Sequence, residues 1–120
     1  MTIFIFGNPD ISLDSMPLRL LPRLRELFPA VNFEIKDPNE DWEVPEELVI
    51  IDTALGIREV TVFDDLFKFK PAPRITLHDF DALANLRYLQ KLGRLRKLKI
   101  IALPPDIAED KALVEIADFI

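Results

Sequence analysis

The chain has 120 residues, 49% of them apolar and 30% charged, with a net charge of −6. That length fits a single domain over 1–120, and the apolar share supports a packed core rather than a disordered chain. The absence of cysteine excludes a disulfide scaffold, thiol catalysis and any Cys-ligated zinc or iron–sulfur site, and the acidic balance argues against general nucleic-acid binding, which needs clustered Lys and Arg.

The opening Met1-Thr2-Ile3-Phe4 carries no cationic segment, and no apolar run approaches ~18 residues. Neither export nor membrane spanning is expected, and the default compartment is the cytoplasm. Ile3-Phe4-Ile5-Phe6, stopped by Gly7-Asn8-Pro9, reads as a strand buried on both faces. Leu18, Leu21, Leu24 and Phe28 have helical spacing. Ser15 is the expected N-cap, Pro17 suits a first turn, and Pro29 ends the helix. Pro22 predicts a kink there, or a helix that starts only near Pro22, because proline lacks the N–H that the ladder needs.

Val31, Phe33 and Ile35 alternate with Asn32, Glu34 and Lys36, the pattern of a half-exposed strand. Residues 37–47 form an acidic connection marked by Pro38 and Pro45. Leu48-Val49-Ile50-Ile51 is a second wholly apolar strand, ending at Asp52, and Glu59 to Phe63 alternates as another. After Pro71 and Pro73 comes a strand-like Arg74-Ile75-Thr76-Leu77. Asp79 to Leu92 has helical period, with Gly93 as its stop. The basic residues Arg94, Arg96, Lys97 and Lys99 read as a solvated turn and strand start. Leu98 to Leu103 is the last apolar strand, and Leu113, Ile116 and Ile120 predict a terminal helix starting near Pro105 or Ala108. Two wholly apolar strands among alternating helices predict an α/β three-layer sandwich. Its twisted sheet should be largely parallel, of about five strands, with helices on both faces.

In such sheets ligands bind beyond the C-terminal ends of the strands, where chain order reverses. Asp52 ends one apolar strand, Asp14 follows the first strand by a short loop, and His78, the single histidine, precedes the helix from Asp79. Taken singly, each has a plainer role: Asp52 as a turn cap, Asp14 as an N-cap or Asx-turn residue, His78 as a capping or packing side chain. Taken together, loops after parallel strands bring them to one edge, and one imidazole with two carboxylates suits a borderline divalent ion with open positions. A carboxylate buried at the end of Leu48–Ile51 also needs a cation or a hydrogen-bond donor nearby. Other chemistries lack their signatures. There is no G-x-G-x-x-G, P-loop, G-x-S-x-G elbow or H-E-x-x-H.

These residues in this order resemble the hydrogenase maturation endopeptidases. The shared features are Gly7-Asn8 followed by Asp14, the strand ending Asp52-Thr53-Ala54, and Thr76-Leu77-His78 before a Leu-rich helix, with Ile100-Ile101-Ala102-Leu103-Pro104-Pro105-Asp106-Ile107 late in the chain. The resemblance implies a twisted sheet flanked by helices and a hydrolase that trims a C-terminal extension from the large-subunit precursor of nickel–iron hydrogenase. It implies that Asp14, Asp52 and His78 engage nickel carried by that precursor, for which other divalent ions can substitute. A metal-polarised carbonyl or an activated water, with a carboxylate as base, is a reasonable route to cleavage. The partner implied is the precursor, with no nucleic acid and no membrane. The sequence departs from the family at Leu13, usually acidic, at Pro17, usually glycine, and at 37–41, usually rich in Gly and Thr. Those departures open the alternative of a catalytically silent homologue that binds precursor or metal.

Overall fold

The computed structural model describes residues 1–7, 10, 15–36, 47–54, 56–63 and 97–120. Within them the chain forms β1 (Thr2–Ile5), α1 (Met16–Leu27), β2 (Asn32–Ile35), β3 (Glu47–Thr53), β4 (Thr61–Phe63), β5 (Lys97–Leu103) and α2 (Glu109–Ala117). The strands make one sheet in the order β2-β1-β3-β5-β4. β1 pairs in parallel with β2 and β3, β3 pairs in parallel with β5, and β4 runs antiparallel to β5 at the far edge. This is the expected α/β architecture with a largely parallel five-stranded sheet. Residues 37–46 of the expected acidic connection, the strand-like 74–77 and the helix expected over 79–92 lie outside the described residues, and Glu47, the last residue of that connection, instead begins β3.

Burial explains the strand compositions. β3 and β5 are interior, and residues from both faces of each are buried, among them Ile50, Ile51, Ile100 and Ile101, so neither strand has an apolar/polar alternation. β2 is an outer strand, with Phe33 turned inward and Asn32 and Ile35 exposed. Both described helices pack on one face of the sheet. Met16, Leu20 and Leu24 of α1 and Leu113 and Ile116 of α2 form one core with Ile3, Ile5, Ile51, Ile101 and Leu103. The opposite face, with Phe4, Phe6, Leu48, Ile50 and Ile100, is buried as well.

α1 starts where Ser15 and Pro17 predict, and it settles one alternative at Pro22 and corrects one expectation at Ser15. It runs unbroken from Met16, so it does not start at Pro22. Pro22 occupies an exposed position in its interior, where the carbonyl that loses a donor can turn to water while the inward Leu20, Leu21 and Leu24 keep their packing. Ser15 stands at the N-cap position, and its carbonyl accepts the Arg19 N–H at 3.0 Å. Its hydroxyl makes no capping bond to the helix, because the residue has αR rather than extended backbone angles. The terminal helix begins at Glu109, and Glu109 and Asp110 in its first turn complement the helix dipole. The Arg23–Asp110 ion pair, at 2.8 Å, links the two helices between exposed side chains and adds little to stability.

Ile101 is fully buried at the centre of β5. Its replacement by alanine should lower stability by about 2–5 kcal/mol in urea titrations. Val114→Ala, at a position 69% exposed on α2, should stay within about 0.5 kcal/mol of wild type. Equal losses at the two positions would contradict the assigned core.

Candidate functional site at the carboxyl edge of the sheet

The sheet order sets where a site can form. From β1 the chain crosses through α1 to β2 on one side, whereas β3 and β5 lie on the other. The chain therefore reverses direction across the sheet between β1 and β3, and the ends of these two strands frame the crevice that parallel sheets use for ligands. Among the described residues the last bond joining them runs from the Phe6 N–H to the Ile51 carbonyl, at 3.0 Å. Asp52 and Thr53 follow immediately on β3.

Asp52 is 1% exposed. Along a strand, side chains alternate between faces, so Asp52 lies on the side of Ile50 and away from α1. Its Oδ1 accepts the Thr53 N–H at 2.8 Å, and so it fulfils the amide-capping role open to it from the sequence. A carboxylate offers about four acceptor positions, and this bond uses one of them. Thr53 turns to the α1 side and is 4% exposed, and its Oγ1 has no hydrogen-bond partner. Among the described residues it is the one buried side-chain nitrogen or oxygen in that condition. Nothing in the sequence distinguishes this threonine from any other β-branched residue that ends a strand.

The other expected ligands follow from the chain path. β1 and β2 are parallel, so α1 must return from the carboxyl edge to the amino edge. Its first turn, with the buried Ser15 and Met16, therefore starts at the edge that carries Asp52. Asp14 is the residue before Ser15 and lies outside the described residues, as does His78. Among the described residues no group of three His, Cys, Asp or Glu side chains is placed to hold a metal ion. No described helix is long and apolar enough to cross a membrane.

The structure thus defines an α/β fold whose chain order reverses between β1 and β3, with the buried carboxylate of Asp52 near the end of β3. No protein-family model matches the chain, and no curated protein matches it. The chain is similar to the solution structure of an endopeptidase from Escherichia coli. The two are 21% identical, with a TM-score of 0.55 over 98% of this chain and 87% of that one. A likeness at this identity establishes the shared fold, and chemistry must be argued from the site itself.

Two substitutions separate the roles of the adjacent polar groups. Thr53→Val keeps the branched shape and removes the unpartnered hydroxyl, so it should raise stability by about 1 kcal/mol in urea denaturation. Asp52→Ala strips the buried Thr53 amide of its acceptor and should cost about 1–3 kcal/mol. A destabilised Thr53→Val would show that the hydroxyl is satisfied in solution.

Proposed function

We propose that the chain is a metal-recognising endopeptidase of the hydrogenase maturation type, which removes a C-terminal extension from a nickel-loaded hydrogenase large-subunit precursor in the cytoplasm. Asp14, Asp52 and His78 engage the nickel that the substrate carries. The observation that carries the proposal is the burial of Asp52 at the carboxyl end of β3, at the point where chain order reverses. Three further arguments support it. Asp14 adjoins an α1 first turn that starts at the same edge. A helix over 79–92, as the sequence predicts, would leave four residues, 93–96, before β5 starts at the amino edge. At ~1.5 Å per residue its ~21 Å would bring His78 back towards Asp52. The fold is shared with a protein described as an endopeptidase.

Nickel held by two carboxylates and an imidazole links cleavage to metal loading, because a precursor without metal gives these side chains nothing to grip. The same ion could polarise the scissile carbonyl or activate a water, with a carboxylate taking the proton. A second reading, a silent homologue that binds without cutting, is favoured by one observation. Asp52 is almost wholly buried and already accepts the Thr53 amide, which suits a structural cap as well as a ligand.

Incubation with nickel-loaded precursor separates these readings. The wild-type protein should release the extension, metal-free precursor should stay intact, and His78→Ala should lower the rate by at least about 100-fold, the scale expected when a positioned catalytic group is removed. Precursor capture without peptide release would favour the silent homologue, and equal processing by wild type and His78→Ala would refute the role of His78.

A further inference from the structure

Lys36 follows β2 directly, and its N–H donates to the Ile5 carbonyl at 3.0 Å. In the pairing register Ile5 lies between Ile35 on β2 and Ile51 on β3. One residue further along each strand, Lys36, Phe6 and Asp52 form a lateral row, which Ala102 continues into β5. Partners in one row of a sheet share a face, and at ~4.8 Å between strands the backbones of Lys36 and Asp52 are ~10 Å apart. The Lys36 side chain folds back over this face. Its Nζ stands 5.3 Å from the centre of the buried Phe4 ring, within cation–π range, and the side chain is 29% exposed. Among the described residues the nearest carboxylate is Glu34 Oε2 at 3.9 Å, the outer limit of an ion pair. A protein with a net charge of −6 therefore holds an ammonium group on the Asp52 face, drawn in over an aromatic ring and weakly neutralised.

We propose that Lys36 is a specificity residue of the same site: at the outer-strand end of the row that carries Asp52, it anchors a carboxylate of the peptide substrate. The anchor rests on the peptidase reading given above. The carboxylate is either an acidic side chain or the free C-terminus of the extension, and both present the same anion to a lysine. A half-buried ammonium gains more from such a partner than a fully exposed one does, because water screens the pair less.

The test uses Lys36→Met, which keeps the methylene stem over Phe4 and removes the charge. Processing of nickel-loaded precursor should show a KM raised about three- to tenfold, with the loss in KM rather than kcat and with thermal stability unchanged. Replacing the acidic side chains of the extension by their amides, or amidating its C-terminus, should reveal the source: whichever change abolishes the difference between Lys36→Met and wild type removes the anchored group. An unchanged KM in Lys36→Met overturns the proposal. Should the wild-type protein release no peptide, the peptidase reading falls, and the anchor is tested by binding alone. Fluorescence anisotropy is then measured with a labelled peptide of the extension, and with a copy whose acidic side chains and C-terminus are amides. A preference for the acidic peptide that Lys36→Met abolishes supports the anchor, and equal affinity for the two peptides overturns it.

Discussion

The parallel pairing of β3 with β1 on one side and β5 on the other is the constraint from which the rest of the structure follows. It places seven residues of β3 in the interior of the sheet, where both faces need apolar side chains and only the end of the strand can carry a charge. Asp52 is at that end. The same pairing puts the reversal of chain order between β1 and β3, so the switch point and the buried carboxylate arise from one arrangement. α1 then has to begin at the carboxyl edge, because β2 is parallel to β1. Asp52, the Thr53 amide and the start of α1 therefore lie at the same edge through topology rather than through local sequence.

Much of the fold was legible from hydrophobic periodicity. Leu48–Ile51 and Leu98–Leu103 are apolar without alternation because their strands are interior, and Val31, Phe33 and Ile35 alternate because β2 is an outer strand. The spacing of Leu21 and Leu24 located α1. The departures were local ones. Pro22 left open a late helix start that the packing of Leu20 and Leu21 excludes, and Ser15 suggested a side-chain cap that its backbone angles do not allow. Strand order was not legible, since nothing within Leu48–Ile51 specifies β1 and β5 as its neighbours.

The site was legible in part. A carboxylate directly after an apolar strand points to a sheet edge, and Asp52 is there. Asp14 and His78 fall outside the described residues, so their convergence on Asp52 rests on sequence order and chain path. Thr53 and Lys36 carried no usable signal. An unpartnered hydroxyl and a cation folded over a ring are products of register and packing, and the alternation at 31–36 showed only that Lys36 belongs to the face opposite Phe33.

The shared fold with an endopeptidase does not by itself provide a reaction, because one α/β sheet supports many chemistries. The account depends on two acidic side chains and one imidazole gathering around an ion brought by the substrate. X-ray absorption at the nickel edge, recorded on the loaded precursor with and without the protein, tests this most directly. The account predicts a new imidazole scatterer around nickel in the complex, which is lost with His78→Ala. A nickel spectrum that stays the same when the two proteins form a complex would contradict it.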